Sequence, residues 1–381
     1  MYFSEGIGVG VIAIFCDGTW NSPTISMPTH VYKLYAACAQ TDDQRALYFE
    51  GVGTGGADAG AWGKLFHKFG GGLFGWGLNR NIKEAYLALC QNYRAGDKIM
   101  IFGFSRGAYT ARSLAGMIRK CGILETPTRG NANKAFRLYR KSGADNAPDT
   151  AHIWKARRKL SPHYATSQND VVRRGDGSKL VRVSYLGIWD TVGALGIPEA
   201  VLGPVAAFWN ARYRFHDTRL SHLVEAARHA VALDERRVFF VPSLWDNLEA
   251  AADGPGLNQG DRTATRPYQQ IWFVGDHAIV GGSAAAEGLT SLTLDWIVEG
   301  AQSVGLMLGP DAKFDKLVRD PIQKTMEIDD PALVYRIARG LLRWRKGPGH
   351  AIDLHPSVRQ RTAADAGYRP QSLRNLMKEL F

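Results

Sequence analysis

Apolar residues in this chain gather into short continuous runs, each closed by a polar or glycine-bearing loop. Val9–Phe15, Arg45–Phe49, Ile99–Phe102, Leu180–Trp189 and Gln270–Val274 are such runs. Short runs rich in β-branched and aromatic residues, bounded by turn signals, read as strands buried on both faces. Between them the apolar positions recur at helical spacing. Val31–Ala39, Asn81–Tyr93, Ala108–Leu114, Leu220–Leu233 and Leu289–Val304 are the predicted helices. Ile82, Ala85, Tyr86 and Leu89 share one face of the second, and Leu292, Trp296, Val298 and Ala301 are packing positions of the last. Strand and helix alternate through residue 114, which predicts a doubly wound, mostly parallel α/β sheet.

The pattern weakens over residues 126–180. That stretch is polar and basic, with Arg129, Lys134, Arg137, Arg140, Lys141, the Lys155–Lys159 run and Arg173–Arg174, and with one short helix near Ala135–Tyr139. It reads as an insertion or cap outside the sheet, its cations a solvated surface. Gly70–Gly77, carrying Phe74 and Trp76, reads as a loop, either mobile and apolar-tipped or a plain connector. Leu333–Lys346 reads as a basic amphipathic helix, and the chain closes in a helix near Leu373–Leu380. The expected organisation is a catalytic domain over residues 1–308 and a basic C-terminal extension, 309–381, packed on it.

Composition narrows the class. The chain has 381 residues, 45% hydrophobic and 22% charged, a globular balance. Its four cysteines are widely spaced without a CxxC, so neither a disulfide framework nor a zinc site is expected, and no cofactor. No apolar run reaches membrane-span length, and no Lys or Arg precedes the apolar Gly6–Cys16 stretch as a signal peptide requires. Bulky Phe15 before Cys16 speaks against lipoprotein processing. A cytoplasmic location is expected, with signal-independent export compatible with it. The net charge of +11 favours anionic partners, a membrane surface among them. No nucleic-acid motif or basic–aromatic stripe is present, so no nucleic acid is expected.

Candidate chemistry centres on Gly103-Phe104-Ser105-Arg106-Gly107, between the Ile99–Phe102 run and the Ala108–Leu114 segment. Strand, G-x-S-x-G, helix is the context of a nucleophile elbow, in which a sharp turn presents the serine at a strand's carboxyl end. Gly103 and Gly107 would support it, since a Cβ there meets the neighbouring chain. The expected fold is therefore α/β-hydrolase-like. A serine nucleophile needs a base and an acid, which arrive in the order Ser, Asp/Glu, His in such folds. Asp190 follows a buried strand and lies between Ser105 and the later histidines. Of ten histidines, His277 follows a buried strand and leads into a Gly-Gly loop. An oxyanion hole would use the N–H of Arg106 and one from the Asp17-Gly18-Thr19 loop, with Gly18 or Thr19 as donor and Asp17 bracing the loop.

The set DGTWN, GVGT, GFSRGAYTAR, GIWDTVGALG, ALDERRVFF-PSLW and WFVGDHAIVGG resembles a bacterial and fungal α/β-hydrolase family that includes phospholipase effectors of type VI secretion. The resemblance runs over most of Val11–Ala301, with LHPSV at Leu354–Val358 as a further element. It implies a triad of Ser105, Asp190 and His277. Where family members usually read H-x-D-V-G-G-G, this chain has His277-Ala278-Ile279-Val280-Gly281-Gly282-Ser283, without the acid at Ile279. The resemblance implies hydrolysis of an acyl ester of phospholipid, of phospholipase A or lysophospholipase type. Two alternatives stand beside it: a small-molecule esterase or thioesterase, and a non-catalytic module binding through its basic surface.

Overall fold

A computed structural model describes residues 10–18, 27–51, 71–193, 219–238, 240–249, 254–325 and 342–380, with side chains described from residue 77 in the helix that opens at Gly71. In chain order the elements of the sheet and its flanks are β1 (Val11–Cys16), α1 (His30–Ala37), β2 (Gln44–Phe49), α2 (Gly71–Asn92), β3 (Lys98–Phe104) and α3 (Arg106–Cys121). An insertion follows, made of α4 (Arg129–Tyr139), α5 (Ala151–Leu160), β4 (Tyr164–Ala165), α6 (Gln168–Arg174) and β5 (Lys179–Leu180). The sheet resumes with β6 (Val183–Trp189), β7 (Ala227–Ala232) and β8 (Tyr268–Phe273), then α7 (His277–Gly281) and α8 (Glu287–Ser303). The tail adds α9 (Pro356–Ala364) and α10 (Met377–Leu380), the latter continuing a 3₁₀ turn over Gln371–Leu376.

Six strands form one sheet in the order β2-β1-β3-β6-β7-β8, and every neighbouring pair is parallel. This is the doubly wound α/β-hydrolase-like sheet that the alternation of runs predicts. The order reverses between β1 and β3, so the loops after these two strands open apart and leave a crevice at the carboxyl edge. Ser105 follows β3 and Asp17 follows β1, which puts both beside that crevice.

The two-residue pleat of β1 divides the core. Ile12, Ile14 and Cys16 pack with α2 and α3 on one face; Val11, Ala13 and Phe15 pack with α1 and α8 on the other. A third cluster joins Val231, Leu233 and Trp272 to Leu354, Val358, Leu373 and Leu376 of the tail. The tail is thus docked on β7 and β8: His355 donates its backbone N–H to Trp272 O at 3.0 Å.

Four expectations change. Leu220–Leu233 is not a helix, because Ala227–Ala232 is a strand hydrogen-bonded between β6 and β8. Its alanines read as helix formers, but sheet pairing decides the outcome. Gly71 opens a helix, so the described part of the glycine-rich segment, Gly71–Gly77, is not a loop. Leu333–Lys346 lies partly outside the described residues; its described part, from Leu342, is not helical and bridges to Arg237 through Leu342. The insertion, finally, carries more helix than its hydrophobic pattern indicates. Asp170, fully buried, accepts Trp154 Nε1 at 2.8 Å, Arg157 Nε at 3.1 Å, Arg174 Nε at 2.9 Å and Thr166 N at 3.0 Å. An ionic cluster rather than an apolar stripe ties α5 to α6. Asp170→Ala would leave Arg157 and Arg174 buried without their carboxylate, and should destabilise the protein by about 3 kcal/mol or more. Chemical denaturation of the variant checks this.

Candidate active site

β3 enters the crevice buried from Ile99 onward and must turn at once into α3. The turn is made at Ser105, with φ 58° and ψ −121°, a conformation that costs a non-glycine residue of order 1–3 kcal/mol. The turn is possible because its flanks lack side chains. A Cβ on Gly103 would stand 2.5 Å from Gly107 O, and one on Gly107 would strike Cys16 O and sit 2.6 Å from the Asp17 carbonyl carbon. α3 therefore lies directly against the end of β1. Gly107→Ala must push two backbones apart, and should cost about 3 kcal/mol or more. A melt of the purified variant, or its loss from the soluble fraction, checks this.

Ser105 caps α3 by position but not by its side chain. Its Oγ instead lies 2.9 Å from His277 Nε2. Its backbone N–H donates to Trp189 O at 3.0 Å, which locks the elbow to the end of β6. The next residue there is Asp190, also at positive φ (36°). Its N–H donates to Ala230 O at 2.7 Å, and its Oδ2 lies 2.5 Å from His277 Nδ1. Ser105, His277 and Asp190 thus form one hydrogen-bonded line, although 172 positions separate serine from histidine.

His277 opens α7, the helix capped by Asp276, whose carboxylate accepts Ile279 N at 2.9 Å. Its ring contacts those of Phe104 and Phe240, with centroids 4.6 and 4.7 Å away. Its backbone N–H donates to Glu235 Oε2 at 3.2 Å. Ile279, where a family acid is missing, is fully buried in the third core cluster.

Arg345 went unnoticed in the sequence. It crosses from the tail and grips Asp190 with both guanidinium ends: Nη1 donates to Oδ1 at 2.6 Å and Nη2 to Oδ2 at 2.9 Å. Ala232 N donates to Oδ1 at 2.9 Å. Burial alone would raise the Asp190 carboxyl, but the Arg345 charge and the His277 and Arg345 hydrogen bonds outweigh it, holding the carboxyl far below its usual range. Asp190 is thereby held as an acceptor, the state that keeps a proton on His277 Nδ1 and turns Nε2 toward Ser105. No local signal marks Arg345. It is one arginine in a basic stretch, and its partner lies 155 positions earlier.

The oxyanion candidates fare unequally. Arg106 is the first residue of α3, directly after the nucleophile position. The Gly18 N–H donates to Asp17 Oδ1 at 2.7 Å. Thr19 lies outside the described residues, as do most of the DGTWN and GVGT stretches. Asp17 also accepts Thr29 Oγ1 and Tyr48 OH, each at 2.7 Å, so it joins the loop to α1 and β2. His229, expected on a helix, sits inside β7: Thr191 N donates to its Nε2 at 3.2 Å, and burial lowers the imidazole to about 3. Among the described residues no group of three or more His, Cys, Asp or Glu is placed to hold a metal ion. Among them, too, no helix is long and apolar enough to cross a membrane.

Chemically, the line can move one proton. Ser105 Oγ can pass its proton to His277 Nε2 as it attacks an electrophile, while Nδ1–H stays directed at Asp190.

A family model described as the catalytic domain of Tle1-like type VI secretion phospholipase effectors matches residues 11–300. The uncharacterized protein YEL023C of Saccharomyces cerevisiae is 29% identical over 238 residues, which are 60% of this chain and 32% of that protein. The chain thus spans about a third of that relative's length. Among solved structures, an uncharacterized protein from Pseudomonas aeruginosa aligns at a TM-score of 0.42 and 16% identity, over 93% of this chain and 53% of its own. A Tle1 effector bound to the VgrG spike of the type VI secretion system aligns at 0.36 and 17% identity, over 74% and 52%.

Proposed function

Because the chain belongs to the family of Tle1-like catalytic domains of type VI secretion phospholipase effectors, we propose that it hydrolyses acyl esters of phospholipids through an acyl-enzyme on Ser105. The observation that carries the reading is the Ser105–His277–Asp190 line at the carboxyl edge of the sheet. Ser105 Oγ attacks the acyl carbonyl and its proton goes to His277 Nε2. His277 then gives that proton to the leaving alcohol, and a water repeats the sequence to free the fatty acid. The N–H of Arg106 receives the developing oxyanion, helped by the start of α3, where the helix dipole favours negative charge. The second donor is expected from the Asp17-Gly18-Thr19 loop, whose Thr19 lies outside the described residues.

The basic insertion supports an anionic lipid surface as the substrate's setting. Lys134, Arg137, Lys141 and Lys159, all exposed, line an open groove of about 600 Å³ in which Glu125 is the one acid among the described residues. Attraction of that kind weakens as salt screens it.

The test presents purified protein with vesicles of phosphatidylglycerol or phosphatidylcholine and with short soluble esters, products being read by mass spectrometry. Release of fatty acid and lysolipid, faster from the anionic vesicles and slowed by salt, is the expected result. Turnover of soluble esters with intact vesicles would assign a small-molecule esterase or thioesterase instead.

A further inference from the structure

Asp190 receives more than a Ser–His–Asp line requires. Its two oxygens accept Arg345 Nη1 and Nη2, the Ala232 N–H, and the bond with His277. Arg345 is 7% exposed, and its Nη1 and Nη2 also donate to Ala232 O at 2.8 Å and Phe240 O at 2.6 Å. Phe240 is the residue whose ring covers His277. One guanidinium therefore fixes the carboxylate and the lid of the imidazole together. The segment that carries it is itself pinned. Arg343 N donates to Arg236 O at 2.6 Å, Trp344 lies under the Arg236 guanidinium at 4.7 Å, and Gly347, at φ +73°, presses on the Ser372 carbonyl. Arg343, Trp344, Arg345, Gly347 and Ser372 lie beyond residue 300, outside the family-matched region, while the groups they hold lie within it.

We infer that Arg345 is a positioning residue for the hydrolysis, and that the docked C-terminal segment completes the active site by setting the charge and orientation of Asp190. The inference rests on the hydrolase reading above. A bidentate arginine does two separable things here. Its planar fork aligns both carboxylate oxygens, which a lysine cannot do. Its charge offsets that of Asp190, so the His277–Asp190 pair takes up a proton less readily than it would beside an unpaired carboxylate. Among the described residues, the other charged or titratable groups facing the pair are Glu235 at the His277 N–H, with Arg237 and Asp276 behind it, and His229 with Arg112 on the β7 side. They remain in place when Arg345 alone is changed.

Arg345→Gln and Arg345→Lys separate the two effects. In Arg345→Gln, kcat should fall about 10²-fold, the scale of a lost alignment, with KM within twofold. The acid limb of its kcat/KM profile should move up by about one pH unit, because a cation has left the pair. Arg345→Lys should keep the limb in place and recover only part of kcat. A proton NMR titration of the His277 Nδ1–H resonance needs no substrate, and in Arg345→Gln that resonance should appear at higher pH. A folded Arg345→Gln with an unmoved limb and resonance overturns the inference; if that variant does not fold, wild-type kcat in Arg345→Lys does so. Absence of Ser105-dependent turnover in the wild type would instead remove the hydrolase reading, and the NMR titration would still decide the role of Arg345.

Discussion

Ser105→Ala should lower kcat on a phospholipid or acyl ester by about 10⁴-fold or more, with little change in KM. The size follows from the chemistry rather than from lost binding. The serine oxygen is the atom that bonds to the acyl carbon, and the alternative is direct attack by water without an acyl-enzyme. The hydroxyl is 2.9 Å from His277 Nε2, so it has a base waiting. The same position also stores strain, since Ser105 holds φ 58° at the elbow. Glycine adopts that backbone without penalty. Ser105→Gly should therefore be as inactive as Ser105→Ala, yet at least as stable as the wild type, because relief of about 1 kcal/mol offsets the glycine's greater freedom when unfolded. Paired activity and denaturation measurements on the two variants check both halves.

Asp190→Asn should lose activity and stability together. An asparagine can direct its NH₂ at His277 Nδ1, which favours the tautomer that cannot accept the Ser105 proton, and kcat should fall about 10⁴-fold. It also removes the negative charge from a buried site where Arg345 remains. A buried ion stripped of its partner costs about 3–5 kcal/mol, which chemical denaturation at pH 7 would read. The pH dependence follows from the sign of the shift. The Asp190 carboxyl lies far below its usual range in the folded state and near 3.9 when unfolded. Its contribution is present above the unfolded value and is lost as pH falls toward the folded one. The gap between wild type and Asp190→Asn should thus be full at pH 7 and narrow below about pH 4.

What could be read from the chain depended on how local its cause was. β1, β3 and β6 are buried on both faces, so their apolar runs stand out without any tertiary knowledge. The elbow is local too. Gly103, Ser105 and Gly107 lie within five positions, and the steric demand that selects them acts over that span. Asp190 and His277 were legible by their place at strand ends and by the Ser, Asp, His order. β7 was not, because Ala-Arg-His-Ala-Val-Ala becomes a strand only between β6 and β8. The insertion was opaque because a buried Asp170 holds it, and a single aspartate leaves no periodic trace. Arg345 depends on a contact across 155 positions, made by a tail whose place is set by packing on Trp272 and Val231. Gly18 shows the converse: its loop could be located from the sequence, but the bond from its N–H to Asp17 depended on where Asp17 pointed.

The central claim is that Ser105 is the nucleophile and His277 its base. Labelling the purified wild-type protein with a fluorophosphonate, followed by mass spectrometry of the modified peptide, tests it most directly. The account predicts one adduct, on Ser105, and its loss in His277→Ala. A folded wild-type protein that takes no label, or takes it on another residue, would contradict the account.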